Sequence, residues 1–548
     1  MARSRYGSGW PLNRRDFLKT TVAGGAALML PLGFGARTAH GGESPALDHF
    51  IDPLPIPRIF NPSPDGSYVI ATQQLQHELH SHIGPMTTVW GYGDSEGAAF
   101  PGPTFEVRSG TLTRVRWQNQ LAIDPGASHF LEIDPSVLGA VHGAEDNRKM
   151  VVHLHGGHIT QAADGYPEDT LLPGQEAVYD YLIDQDAATL WYHDHALGNT
   201  RLNVYMGLAG FFLVRDDFED NLIATGQLPD KAHEIPLVLQ DRRLNKVGGL
   251  AYDSQFDDSF FGDVMVVNGK AWPYMQVEPR QYRFRVLNGS NSRSYTLQLG
   301  ADMLPFKIIG TDQGLLPAPL TVSSVTLTPG ERADLIIDFG AGGLASGDDI
   351  TLLNTHPSRH GEKVDETPIR DIMQFRIFGS ASDEVILPDE LRPITRLDTA
   401  EAVTERNFKL EDKYDPRVDD SEWFINDMHW HEITDVVQNG TVEIWNWVNK
   451  SEMVHPMHIH LVKFQVVGRY RLTENRKGKL VPGANLGLDP HETGWKDTVR
   501  VGPHEFVQVI ARFAGRATGL SEELFPFHCH ILEHEDHEMM RQFRLVYD

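Results

Sequence analysis

Asp435-Val-Val-Gln-Asn-Gly-Thr-Val-Glu-Ile-Trp-Asn-Trp-Val-Asn449 alternates apolar and polar residues on both sides of an Asn-Gly turn and closes on an asparagine. Period-two alternation about a turn reads as a pair of half-buried hairpin strands. The same design occurs twice upstream, in Phe105-Glu-Val-Arg-Ser-Gly-Thr-Leu-Thr-Arg-Val-Arg-Trp-Gln-Asn119 and in Gln276-Val-Glu-Pro-Arg-Gln-Tyr-Arg-Phe-Arg-Val-Leu-Asn288. The closing asparagines lie 169 and 161 residues apart. That spacing predicts three copies of one unit of about 160 residues, each a Greek-key β-sandwich, and hence an all-β protein. Boundaries near 220 and 395 divide the chain into domains at 45–220, 221–395 and 396–548. The second boundary lies in Val385-Ile-Leu-Pro-Asp-Glu-Leu-Arg-Pro-Ile-Thr395.

Composition agrees with that division. A chain of 548 residues is too long for one hydrophobic core. Hydrophobic residues at 41% and charged residues at 22% fit a globular protein. The 50 Gly and 33 Pro, with few sustained helical periods, favour short strands joined by turns.

The N-terminus carries a separate signal. Asn13-Arg14-Arg15-Asp16-Phe17-Leu18-Lys19 precedes an apolar run from Thr20 to Leu32, the pattern of a twin-arginine export signal with Asn where Ser or Thr is commoner. About 13 apolar residues cannot span a bilayer that needs roughly 20, so a cleaved leader is expected rather than an anchor, and no later segment is long enough to cross a membrane. Both Ala36 and the Ala39-His40-Gly41 stretch fit a cleavage site, which assigns residues 1–41 to the leader and puts the mature start near residues 37 to 45. Export by this route implies the twin-arginine machinery as a partner and a periplasmic or otherwise exported location.

The formal charge is −27, and residues 1–41 hold six Lys or Arg against one Asp, so the mature chain carries −32. Such an excess of acid argues against nucleic acid or anionic lipid as partners and gives a solubilising surface. A single cysteine, Cys529, excludes an internal disulfide although the leader points to a compartment where disulfides persist. The thiol is therefore free for other chemistry.

Cys529 sits between His528 and His530, with His534 and Met539 following. Thiolate, imidazole and a long thioether contact are the donors of a blue copper centre, here Cys529, His455 and His534 with Met539 axial. Three more clusters accompany it: His153-Leu-His155, His193-Asp-His195 and His455-Pro-Met-His458-Ile-His460. In a strand, residues i and i+2 share a face. His153 with His155, His193 with His195, His458 with His460 and His528 with His530 therefore present eight imidazoles in four pairs. Eight suffice for three coppers, three rings for each of an oxygen-bridged pair and two for a third ion, which makes four copper ions with the Cys529 site. Cys529 points away from its two neighbours, so one strand links both sites. One Cys with eight paired His fits no closed four-coordinate zinc site. The clusters fall only in the first and third copies, which makes the middle copy a spacer that sets the separation of the other two.

These motifs resemble the multicopper oxidases, and within them the bacterial branch of spore-coat laccases, bilirubin oxidases and phenoxazinone synthases. The resemblance runs from about residue 50 to the end. It rests on Trp191-Tyr-His-Asp-His195 with Arg201-Leu-Asn-Val-Tyr205, on His528-Cys-His-Ile-Leu-Glu-His-Glu-Asp536 with Met539-Met540, and on Gly494-Trp-Lys-Asp-Thr-Val499. It implies three consecutive cupredoxin-like domains, with His455, Cys529, His534 and Met539 as type 1 ligands. By the same resemblance His153 and His458 form the type 2 pair, and His155, His193, His195, His460, His528 and His530 hold the type 3 pair. Small-molecule electron donors and dioxygen are the implied partners, the donors being phenols, aryl amines, bilirubin-like tetrapyrroles or low-valent metal ions. Asp164 and Glu535 match positions that carry acids in related oxidases, and are the candidate catalytic proton donors.

A laccase-like oxidase is thus the leading expectation. A cuprous oxidase for copper tolerance competes with it, but such proteins often carry a Met-rich segment, whereas the 14 Met here are scattered and residues 340 to 395 offer only Met373. A non-catalytic cupredoxin-like envelope scaffold is the reading from another class, and the intact ligand set argues against it. His158 and His537 fall outside the ligand pattern and are expected at the surface or behind the ligands, whereas His429 and His431 are expected at a solvated strand end, with a place near a substrate mouth as the alternative. The cluster from Trp445 to Trp447 is expected in the core.

Overall fold

The computed structural model describes residues 44–547 apart from 85, 123–130, 135, 141–147, 253–258, 358, 361–362, 365–367, 381–384, 416–419 and 517–518. The leader at 1–41 lies outside the described residues. Six sheets of four to seven strands, with one two-stranded ribbon, make three β-sandwiches in a row. The first pairs a five-stranded sheet with a four-stranded one, the second a seven-stranded with a five-stranded one, the third a six-stranded with a five-stranded one. Among the described residues no helix is long and apolar enough to cross a membrane.

The alternating stretches fold differently from the hairpins they resemble. Gly102–Arg108 lies in the four-stranded sheet of the first sandwich, and Thr111–Asn119 lies in the five-stranded sheet opposite. Tyr274–Val277 and Gln281–Asn288 divide likewise between the sheets of the second sandwich, and Asp435–Gln438 and Thr441–Asn449 between those of the third. Each turn is an arch that carries the chain from one sheet to the other. Alternation cannot separate the two arrangements, because an arch also puts every second side chain of both strands toward one core. What separates them is the pairing: the second strand of each arch lies parallel to the first long strand of its domain, Tyr68–His77, Glu234–Arg242 or Ala402–Asp415.

The closing asparagines have a structural reason. Asn119 Nδ2 donates to the carbonyls of Arg148 and Leu171, Asn288 Nδ2 to those of Arg293 and Leu327, and Asn449 Nδ2 to those of Met453 and Gly502. Each Oδ1 accepts the backbone N–H two residues on, at Leu121, Ser290 and Ser451. All three side chains are fully buried. The amide thus satisfies carbonyls that the strand's end strands inside the protein.

Short strands position the histidines. Val152–His155 pairs antiparallel with Ala188–Asp194, which sets His153 opposite His193. In the third sandwich, His455–Ile459 pairs with Glu522–Cys529, which sets His458 opposite His528 and Met457 opposite Cys529. Alternation then sends Cys529 and Met457 into the third core, beside Trp445, Trp447 and Met539. It sends His528 and His458 the other way, toward the first sandwich.

Candidate metal centre

Cys529, His455 and His534 converge inside the third sandwich. Cys529 Sγ lies 3.6 Å from Nδ1 of each histidine, and the two Nδ1 atoms are 3.2 Å apart. All three residues are buried. The His455 ring is turned by Ser451, whose Oγ lies 2.9 Å from Nε2. Met539 is buried in the same core; its carbonyl accepts the Cys529 N–H at 3.0 Å and its N–H donates to the His534 carbonyl at 3.0 Å. Trp423 stacks on His534 with ring centroids 4.3 Å apart.

The remaining eight imidazoles meet between the first and third sandwiches. His153 stacks on His460 at 3.8 Å and His155 on His458 at 3.7 Å. His528 Nε2 faces His195 Nε2 at 3.3 Å and His460 Nε2 at 3.2 Å. His530 stands against His155 and His193, with centroids 5.0 and 5.3 Å away. Ligand atoms gather in metal-sized triads: His153, His155 and His193; His153, His458 and His460; His195, His460 and His528.

The protonation pattern of these rings suits a cationic metal. Nδ1 of His153, His193, His458 and His528 lies 2.7 to 3.0 Å from the backbone carbonyls of Asp164, Asp194, Asp497 and Cys529. A carbonyl only accepts, so each Nδ1 carries the proton and each Nε2 keeps its lone pair. Nε2 of His153, His193 and His458 and both nitrogens of His530 are buried with no hydrogen-bond partner. At His528, three Nε2 atoms converge. Lone pairs so arranged repel unless a cation lies among them, and buried orphan nitrogens are costly in any other role. Burial, and then neighbouring imidazoles, hold His193, His195, His458, His460 and His530 well below their ordinary range, and Arg332 adds to this at His155. Burial alone brings His455 down to about 3. These rings are neutral, the form that binds metal. Burial also pushes the Cys529 thiol well above its ordinary range, so a thiolate there requires a cation beside it.

Both candidate acids touch the imidazoles. Asp164 Oδ2 accepts from His460 Nδ1 at 2.8 Å, and Oδ1 lies 3.3 Å from His153 Nδ1. Glu535 lies with Oε1 3.3 Å from His195 Nδ1 and Oε2 3.2 Å from His528 Nδ1. The four histidines singled out beside the ligand pattern make other contacts. His158 contacts Asp184 and the Ala514 carbonyl, His429 and His431 lie beside Glu538 and Glu168, and His537 Nδ1 donates to the Glu533 carbonyl. Sequence reasoning missed Asp497, whose Oδ1 accepts from His155 Nε2 at 3.0 Å, although it had singled out the Gly494–Val499 motif that contains this residue. It also missed Ser451 and Trp423, which no spacing marks.

A buried cysteine and two histidines in one sandwich, joined through a single strand to eight imidazoles at its border with another, define a protein of copper redox chemistry. Comparison with known proteins agrees. Multicopper oxidase family models match residues 143–219 and 405–546. The chain is 37% identical over 532 residues to a laccase of Bacillus subtilis (strain 168), covering 90% of this chain and 98% of the laccase. It is 33% identical over 527 residues to the bilirubin oxidase of Albifimbria verrucaria, covering 91% and 82%. The crystal structure of the McoA multicopper oxidase of Aquifex aeolicus superposes with a TM-score of 0.76 at 28% identity, covering 90% and 99%. The chain belongs to the multicopper oxidases, as a laccase-like member whose histidine clusters match type 1 and trinuclear copper sites. A twin-arginine translocation signal matches residues 11–31, so the protein is exported by that pathway.

Proposed function

We propose that the protein takes single electrons from phenols, aryl amines or bilirubin-like donors and delivers four of them, with four protons, to dioxygen, giving two waters. The observation that carries this reading is the strand Glu522–Cys529 and its continuation to His530: Cys529 enters the third core beside His455 and His534, while His528 and His530 leave it toward the other six imidazoles. In this reading Cys529, His455, His534 and Met539 hold the type 1 copper. His153 and His458 hold type 2, and His155, His193, His195, His460, His528 and His530 hold the type 3 pair. When bound, the four copper ions supply the one-electron and dioxygen-reducing chemistry that no side chain offers.

The chain supplies the rest. Backbone carbonyls hold the Nδ1 protons and so fix which nitrogen each ring presents. Glu535 and Asp164 carry protons toward the imidazole set, each from a carboxylate within 3.3 Å of two of its rings. Burial of every proposed ligand excludes bulk water from both sites. The test is an absorption spectrum of the copper-loaded protein, followed by dioxygen uptake with a simple phenol, bilirubin and Cu(I) in parallel. An intense blue band with fastest uptake on an organic donor supports the reading; fastest uptake on Cu(I) replaces it with a cuprous oxidase; no blue band despite bound copper overturns it.

A further inference from the structure

The middle sandwich holds none of the twelve residues assigned to copper, yet one of its side chains reaches them. Arg332, at the start of the strand Arg332–Asp338, is fully buried, and its guanidinium makes five hydrogen bonds. Nε donates to the Thr189 carbonyl of the first sandwich at 2.8 Å. Nη1 donates to the Gly330 carbonyl at 3.0 Å and to Asp497 Oδ1 at 2.7 Å. Nη2 donates to the Asp312 carbonyl at 3.0 Å and to Asp497 Oδ2 at 2.6 Å. Five donors with five acceptors drawn from three sandwiches leave the planar fork no other orientation.

Asp497 passes that orientation on. Its Oδ1 accepts from His155 Nε2, so the His155 proton sits on Nε2 and the ring presents Nδ1, which is buried without a partner. This inverts the tautomer of His153, His193, His458 and His528. The Asp497 backbone carbonyl accepts from His458 Nδ1 at 2.8 Å, and the Asp312 carboxylate accepts the Asp497 N–H at 3.2 Å. The neighbouring turn of the middle sandwich also presses on the set. Gly330 adopts φ 83°, and a Cβ there would stand 2.8 Å from the His530 ring.

We propose that Arg332 is a positioning residue for the imidazole set: through Asp497 it fixes His155 with Nδ1 toward the metal and keeps His458 in register, so that the middle sandwich sets cluster geometry as well as domain spacing. The inference rests on the reading of these histidines as copper ligands. Among the described residues Asp497 has three other donors, Gln313 Nε2, Thr498 Oγ1 and His155 itself, but of these groups only Arg332 engages both carboxylate oxygens at once.

The test compares Arg332→Gln and Arg332→Lys with Arg283→Gln in the mature, copper-loaded protein. Arg283 is an equally buried arginine of the same sandwich, paired with Glu219 and Asp334 and remote in sequence from the histidine motifs. Copper per chain, the type 2 electron paramagnetic resonance signal and the blue band are read in each. Both Arg332 variants are expected to keep the blue band while the type 2 signal is altered and copper affinity at the imidazole set falls about tenfold to a hundredfold. Arg283→Gln is expected to keep all three. Arg332→Lys preserves the buried charge but not the paired contact, so it carries the test where the glutamine variant does not fold. An unchanged type 2 signal with full copper in an Arg332 variant overturns the inference, and so does the same change in Arg283→Gln. Absence of the blue band from the unsubstituted protein would instead overturn the reading of the histidines.

Discussion

Burial raises the Cys529 thiol well above its ordinary range, and among the described residues the basic groups beside the sulfur are the two Nδ1 atoms of His455 and His534. The residue is therefore an inert buried thiol without metal and a thiolate ligand with it. Cys529→Ser is expected to abolish the blue band and donor oxidation, because a hydroxyl is a poor ligand where a soft thiolate is required. It leaves the pocket's volume nearly unchanged, and burying the hydroxyl costs about 1 to 3 kcal/mol. Absorption and thermal unfolding of the variant check both halves; retained intense colour contradicts the assignment of the thiolate. The ligand pairs were legible in the sequence because two-residue spacing on a strand leaves a pattern. Asp497 was visible only as one residue of the Gly494–Val499 motif, and no spacing marked Arg332: each acts across a border between sandwiches, and the charged neighbours Glu331-Arg332 and Lys496-Asp497 read as solvated pairs.

At the scale of elements, the recurring stretch gave the number of domains but not how its two strands are joined. Residue alternation and an Asn-Gly turn are common to a hairpin and an arch, and the choice is made by the parallel partner that arrives from elsewhere in the domain. The closing asparagine is the local mark of the arch, since its amide bridges backbone groups of the segments that follow. In the middle sandwich, Asn288→Ala removes bonds to the Arg293 and Leu327 carbonyls, at 2.8 and 2.9 Å, and to the Ser290 N–H. Leaving these groups buried and unpaired is expected to cost about 2 to 4 kcal/mol. Asn288→Asp should cost more, because a carboxylate cannot donate to carbonyls. Thermal unfolding would show the loss, with the blue band intact below the transition if the third sandwich keeps its fold.

The molecule as a whole is tied together by a second buried set of charges, distinct from the Arg332 fork. Arg215 ends the last strand of the first sandwich and meets Glu219 at 3.2 Å on the connecting helix Asp217–Ala224 and Glu234 at 2.6 Å on the first strand of the second. Arg283 and Arg285 of the second sandwich bind Glu219 at 2.7 and 2.9 Å and also reach Asp334. Three arginines thus balance three buried carboxylates, and Glu106, partly exposed and shared with Lys231, adds a fourth against Arg215 at 3.1 Å. Burial opposes ionisation of Glu219 and Glu234, but the arginines outweigh it and hold both carboxyls below their ordinary range. A depressed carboxyl contributes stability that is complete above its unfolded value, about 4.3, and is lost as pH falls through the folded value. The thermal midpoint is therefore expected to fall as pH drops below about 4.5, and to respond little to added salt at neutral pH, since buried pairs are weakly screened. Glu234→Gln removes one charge from the lattice and leaves its arginines unbalanced, which is expected to cost about 3 to 5 kcal/mol at neutral pH. It also removes one titrating group, so the midpoint of this variant should decline less steeply with acid than that of the unsubstituted protein. Thermal unfolding from pH 3 to 7 at two salt concentrations separates these effects. Parallel pH profiles for the two proteins would show that Glu234 does not titrate with unfolding and that the lattice does not join the first two sandwiches in this way.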